Sequence, residues 1–376
     1  MSNIILEANS LGQSIWYDNI RRGMIQSGEL QGLIDQGVSG LTANPTIFEK
    51  AITGSNDYDD ALRGLAAAGK SVNDIYEDLV ISDIQSVADL LRPAYDRSDG
   101  VDGYASLEVS PRLAADTDGT IAEARRFFAV LDRPNVLIKV PATPEGIPAI
   151  RQLIGQGINV NVTLIFSLEA YREVQEAYIS GLEDLAEKGG DLSRIASVAS
   201  FFVSRVDVAV DNALDDIVAR GNSAASSLRG LAAVANAKLA YQAFEETFGS
   251  QRFAALKAKG ARVQRPLWAS TGTKNPAYSD VLYVDSLMGP DTVNTMPDAT
   301  LEAFLDHGQV NQAITQGVTE AQDTVKSLAS AGISLSSVTT QLLADGVKAF
   351  ADSFDQLMVN IEEKRSRLLT KEKSPR

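Results

Sequence analysis

Short β-rich runs alternate with amphipathic helical stretches along almost the whole chain, and eight such runs are each followed by helix. With a length of 376 residues, that alternation predicts an α/β protein, a single (β/α)₈ barrel with extra helices. One of the extra helices is C-terminal and packs on the barrel. No internal repeat, linker or low-complexity stretch divides the chain, so residues 1–376 read as one domain.

The first strand falls at residues 14–18, and a helix over about 21–36 follows, beginning near Asp18 or Asn19 and broken by Gly37. A second strand at 38–41 runs into Thr42-Ala43-Asn44-Pro45, and residues of about 57–92 form a helical insertion before the third strand. The remaining strands are expected at 104–109, 136–140, 160–166, 195–203, 266–270 and 281–287. Apolar residues recur at helical spacing over 170–186 and 228–248. Near the C-terminus, Leu342, Leu343, Val347, Phe350, Phe354, Leu357, Met358 and Ile361 form a stripe on a helical extension of about 336–370. The charged tail after Lys364 is expected to fray.

Composition excludes several chemistries. The chain has no Cys, which removes thiol nucleophiles, disulfides, zinc–cysteine sites and cysteine-ligated iron–sulfur clusters. A Ser-His-Asp hydrolase would have to use the single His, His307, which sits in the polar segment Leu305-Asp306-His307-Gly308 before a helix-stop glycine. No Asp-x-Asp-x-Asp-Gly loop is present to hold calcium, and the reading calls for neither metal nor cofactor. Acid–base work is left to carboxylates and lysine. The net charge of -15 argues against a nucleic-acid partner, which needs a basic face. Residues 1–10 show no secretory signal, and no run of about 18 apolar residues could span a membrane, so the cytoplasm is the default expectation.

One lysine stands in an apolar run, Val136-Leu137-Ile138-Lys139-Val140-Pro141-Ala142-Thr143, whereas the others fall in polar stretches, near helix ends or beside glycine. A lysine desolvated at a pocket floor is a usable nucleophile toward a carbonyl. A lysine at a strand end can equally snorkel to water or pair with a carboxylate. In a barrel of this class the site lies at the C-terminal ends of the strands. Those ends carry Asp18, Asn44, Glu108, Lys139, Asn161, Thr163, Ser200 with Arg205, and Ser270 with Lys274. Such a set suits imine chemistry: an amine that adds to a ketone, carboxyls that move protons, amides that hold hydroxyls, and basic residues that hold a phosphate.

Gly64-Leu65-Ala66-Ala67-Ala68-Gly69-Lys70-Ser71 matches the phosphate-loop (Walker A) pattern of P-loop nucleoside triphosphatases, a remote alternative. That pattern needs a buried strand before it. Here the approach is polar and helix-like, and Gly69 reads better as a helix stop with Ser71 capping the next helix.

Gly40-Leu41-Thr42-Ala43-Asn44-Pro45-Thr46-Ile47-Phe48 and Val136-Leu137-Ile138-Lys139-Val140-Pro141-Ala142-Thr143-Pro144-Glu145-Gly146-Ile147 resemble the two signatures of the transaldolases. Asn159-Val160-Asn161-Val162-Thr163-Leu164-Ile165-Phe166-Ser167, Ala269-Ser270-Thr271-Gly272-Thr273-Lys274-Asn275-Pro276 and Asn294-Thr295-Met296-Pro297 are similar to further segments of that family, in the same order. The resemblance implies transfer of a dihydroxyacetone unit from sedoheptulose 7-phosphate or fructose 6-phosphate to an aldose phosphate, within the pentose phosphate pathway. By it, Lys139 forms the imine, Asp18 is the acid/base at the C4 hydroxyl, and Glu108 with Thr163 positions the water of imine formation. Asn44, Asn161 and Ser200 would hold the dihydroxyacetone hydroxyls, and Arg205, Ser270 and Lys274 the phosphate. The partners implied are phosphorylated sugars, with no membrane or nucleic acid, and a homodimer stays open. A fructose-6-phosphate aldolase of the same fold is the neighbouring alternative; such relatives are shorter and lack the C-terminal helices. Ala43, Phe201 and Ser204 depart from the commoner residues of the family, and Lys274 lies slightly beyond its usual arginine, which suggests a subgroup.

Overall fold

Eight parallel strands close on themselves in chain order in the computed structural model, which describes residues 3–372. The strands are β1 (Gln13–Tyr17), β2 (Gly40–Thr42), β3 (Tyr104–Glu108), β4 (Val136–Pro141), β5 (Val160–Ile165), β6 (Ser197–Phe202), β7 (Arg265–Ala269) and β8 (Thr292–Met296). β8 pairs back onto β1, from Gln13 opposite Thr292 to Tyr17 opposite Met296, and this closes the (β/α)₈ barrel. Every strand residue is buried, because helices cover the outside while side chains fill the inside. Close packing dictates Gly40: a Cβ there would stand 2.4 Å from the buried ring of Trp16.

Three expectations need correction. Residues 281–287 are not the eighth strand; they carry a short helix, Leu282–Ser286, and the strand is Thr292–Met296. Val281, Val284 and Leu287 are buried at helical spacing, and a short apolar run of this kind does not distinguish strand from buried helix. The true strand is half polar because Thr292 and Asn294 are buried in a barrel wall, fully out of water. The helix expected over 21–36 is two helices, Arg22–Ser27 and Glu29–Asp35, separated by Gly28 at φ +85°, a conformation that glycine adopts without steric cost. The tail after Lys364 stays helical as part of Leu335–Glu372, and Leu368 is buried. Lys364 itself is buried, donating to the carbonyls of Ile52 and Ser55 at 2.9 and 2.7 Å and pairing with Asp59. The end of that tail lies outside the described residues.

The phosphate-loop pattern is helical from Asp59 to Ala67, with Gly69 at φ +75° and Ser71 in a reciprocal capping box with Asp74. Lys70 pairs with Asp78 instead of facing a loop of amides.

The long terminal helix lies across the C-terminal mouth of the barrel. Thr46 donates to Ser353 at 2.8 Å and Asn360 to Glu49 at 2.9 Å, which ties the helix to Pro45–Gly54 behind β2. Phe350, Phe354, Leu357, Met358 and Ile361 are buried, as their spacing predicts. No helix of the described residues is long and apolar enough to cross a membrane.

Candidate active site

The register of the parallel ladder lays Glu108, Lys139 and Asn161 side by side across β3, β4 and β5. Lys139 is 5% exposed, and its Nζ donates to the carbonyl of Ala43 at 3.1 Å. Oε2 of Glu108 lies 3.4 Å from the same Nζ; this is an ion pair, since that oxygen has no hydrogen-bond partner among the described residues. Above the ammonium opens a cavity of about 160 Å³ lined by Asp18, Asn44, Lys139, Thr163, Ser200 and Ser270, with Arg205 and Lys274 at its rim. Lys139 is therefore both paired with a carboxylate and set under a cavity floor.

Two carboxyls flank this amine. Burial pushes the Glu108 carboxyl up, against the pull of the Lys139 charge. Asp18 follows β1 and keeps partial exposure at the mouth, yet the protein around it withdraws enough water to push its carboxyl up too. The Thr42 hydroxyl, which donates to Asp18 Oδ1 at 2.6 Å, and the charges of Lys139 and Lys274 work the other way. Carboxyls held in this balance can both take and return a proton.

Neutral polar groups complete the walls. Asn44 caps Pro45–Gly54, its side-chain oxygen accepting from the Ile47 amide at 3.0 Å, and it lines the cavity with no hydrogen bond from its Nδ2 among the described residues. Asn161 sits just beneath the cavity and does not line it. It donates to Ser106 at 3.1 Å and accepts from the Ser200 hydroxyl at 2.7 Å, so it holds Ser200 in place. Thr163 lies beside a register shift between Val162 and Ile165, where Leu164 has φ +59°; such a bulge re-aims side chains. Its Oγ1 is buried with no partner among the described residues. Glu108 does not itself line the cavity; beside its contact with Lys139 it lines a second hollow of about 100 Å³, with Tyr76 and Glu123.

The rim is cationic. Arg205, on the helix Ser204–Ala219 after β6, packs its guanidinium 5.5 Å over the Phe202 ring, and burial lowers its hold on its proton. Neither Arg205 nor Lys274 has a carboxylate within ion-pair distance among the described residues. Both also line an outer cavity of about 520 Å³, continuous with the inner one through Asp18, Asn44, Pro297 and Phe350. Ser270 is held at φ +55°, its hydroxyl 3.0 Å from that of Ser204 at the start of the same helix. Among the described residues no group of three or more His, Asp and Glu is close enough to hold a metal ion. His307 ends the helix Asp298–His307, exposed and hydrogen-bonded to Asp280 and Asp306.

Several lining residues escaped sequence reasoning. Thr42 and Thr295 share a hydroxyl contact of 2.6 Å beside Asp18, and Phe202 and Phe350 close the cavity sides. The two phenylalanines look like core positions in a strand and in a helix stripe. Their signal would have been the strand end for Phe202; nothing local marks Phe350.

Fold and site define a lysine-centred (β/α)₈ barrel enzyme with an anion-attracting mouth. The chain belongs to the transaldolase/fructose-6-phosphate aldolase family, whose model matches residues 15–361. It is similar to a transaldolase of Trichodesmium erythraeum, 46% identical over 98% of this chain and 99% of the relative. It is likewise similar to one of Saccharopolyspora erythraea, 50% identical over 96% and 98% of the two chains. One of Mycolicibacterium smegmatis is 51% identical over 93% and 94%.

Proposed function

We propose that this chain is a transaldolase in which the whole sequence forms one catalytic domain and Lys139 carries the substrate as an imine. The neutral Lys139 amine adds to the C2 ketone of fructose 6-phosphate or sedoheptulose 7-phosphate. The carbinolamine loses its hydroxyl as water to give the imine. Asp18 then takes the proton of the C4 hydroxyl, the C3–C4 bond breaks, and the electron pair moves into the imine to leave an enamine. The departing aldose phosphate takes a new aldehyde with it. Glyceraldehyde 3-phosphate or erythrose 4-phosphate next accepts the C3 carbon, Asp18 returns its proton to the new alkoxide, and water releases the product ketose.

In this reading Glu108 exchanges protons with the water of imine formation, and the unpartnered hydroxyl of Thr163 holds that water. Asn44 and Ser200 bind the dihydroxyacetone hydroxyls, with Asn161 behind Ser200. Arg205, Ser270 and Lys274 bind the phosphate. The reaction takes place in the cytoplasm among dissolved sugar phosphates and needs neither membrane nor nucleic acid. It is also compatible with a homodimer.

The supporting observation is the position of the Lys139 ammonium, 3.4 Å from Glu108 at the floor of the cavity that Asp18 lines. Borohydride added with fructose 6-phosphate tests it. Mass spectrometry should find one reduced dihydroxyacetone unit on Lys139 and the activity lost; labelling elsewhere, or none, sinks the mechanism. Release of free dihydroxyacetone without an acceptor at the full rate would instead favour the aldolase branch of the family.

A further inference from the structure

A second cavity, of about 240 Å³, opens at the N-terminal end of the barrel, opposite the catalytic mouth. Its walls are apolar, with Trp16, Tyr104, Leu137 and Phe253 contributing rings and methyls. Its charged groups are mainly cationic: Arg265, Arg262 and Lys257 line it, against one carboxylate, Asp291.

Arg265 is the unusual member. It opens β7, is 8% exposed, and has no carboxylate within ion-pair distance among the described residues. Its Nη2 donates to the Ser14 hydroxyl at 2.7 Å and the Thr292 carbonyl at 2.6 Å, and Nη1 reaches the Val101 carbonyl at a long 3.4 Å. Nε is buried with no hydrogen-bond partner among the described residues. The nearby Asp102 lies beyond ion-pair distance and is reached only through the Ser14 hydroxyl, which accepts from Arg265 and donates to Asp102; its oxygens also accept from Ser39 and the Trp16 indole. A clamp joining the starts of β1, β7 and β8 would account for the two Nη2 bonds. It leaves the buried Nε unexplained, beside a charge that Asp102 and Asp291 offset only from beyond ion-pair distance, and a buried donor without a partner is costly. Arg262 adds a second guanidinium, joined only loosely to the fully exposed Asp99 at 3.4 Å, and Lys257 a third charge in water.

We propose that this cavity binds a small organic anion, with a phosphate, sulfate or carboxylate head on Arg265, Arg262 and Lys257 and a compact apolar body against Trp16 and Phe253. The volume falls below the roughly 300–1,000 Å³ of pockets for drug-sized ligands, which sets the body at about one or two rings.

The probe is naphthalene-1-sulfonate, titrated by calorimetry into the full chain. It should saturate one site per chain and stay bound when fructose 6-phosphate saturates the catalytic mouth. The uncharged 1-naphthalenemethanol should bind far more weakly. The double variant Lys257→Glu with Arg262→Gln changes residues remote from the mouth. It should keep its transaldolase rate and lose roughly tenfold or more in affinity for the sulfonate. Displacement by fructose 6-phosphate, equal binding of the neutral probe, or wild-type affinity in the double variant would each overturn the assignment.

Discussion

Asp18 and Glu108 share one ammonium as neighbour, yet they stand on different sides of it and their loss should read differently. Asp18 lines the cavity where a substrate hydroxyl would lie, whereas Glu108 touches the amine and a separate hollow. Asp18→Asn should still trap the imine with borohydride but cleave slowly, and Glu108→Gln should slow imine formation itself. Removing a general acid–base group lowers the rate by about 10²–10⁴-fold. If both variants trapped imine at the wild-type rate, the assignment of roles would fail. Burial also makes a stability prediction. The folded protein holds the Asp18 and Glu108 protons more tightly than the unfolded chain does. Their contribution is therefore fully present below the ordinary carboxylate range, about pH 4, and is lost as pH rises through their raised values. Asp18→Asn should flatten that decline in a series of thermal melts; a slope equal to the wild type would show that Asp18 carries no such burden. At this scale the sequence was readable where a polar residue interrupts or ends a strand, as at Lys139, Asp18 and Glu108. It was silent at Phe350, which reaches the site through tertiary packing rather than strand position.

The terminal helix is the element that most extends the barrel, and its apolar stripe was legible because a 3.6-residue period over several turns has few other readings. Ile361 is fully buried on that stripe, where the helix crosses Pro45–Gly54. Ile361→Ala should lower stability by about 2–5 kcal/mol through lost contacts and a cavity. The denaturant midpoint should drop with little change in slope; an unchanged midpoint would mean that the helix is anchored without that contact. Elements with weaker periods were misread for physical reasons. β8 hides polar residues in the barrel wall, so it does not look like a strand, while the contiguous apolar run Val281-Leu282-Tyr283-Val284 nearby does. Gly28 interrupts a helix whose apolar pattern continues across it, and only the left-handed backbone reveals the break. Lys364 looked like the start of a solvated tail because its carbonyl partners, Ile52 and Ser55, come from a distant helix end.

Taken whole, the molecule carries a net charge of -15, and its proposed substrates are anions, so the long-range field opposes their approach. The mouth reverses that sign locally: Arg205 and Lys274 both lie at its rim without a carboxylate partner among the described residues, and Arg21 and Lys50 line the outer cavity. Arg205 comes from the start of the helix after β6 and Lys274 from the loop after β7, close to where phosphate sites gather in this fold. A hydrogen bond to a charged group contributes roughly 1.5–3 kcal/mol, and about 1.4 kcal/mol is tenfold in affinity. Arg205→Ala should therefore raise the KM for fructose 6-phosphate at least about tenfold while hardly changing the use of unphosphorylated dihydroxyacetone as donor. Salt separates the two fields. The diffuse repulsion is screened over a Debye length of about 10 Å at 0.1 M, whereas the partly buried Arg205 contact is screened much less. Moderate salt should then raise kcat/KM for the phosphorylated donor in the wild type, and the tenfold gap to Arg205→Ala should persist. Equal losses on both donors would assign Arg205 to the fold or the chemistry instead. A gap that closed with salt would reduce it to one more surface charge.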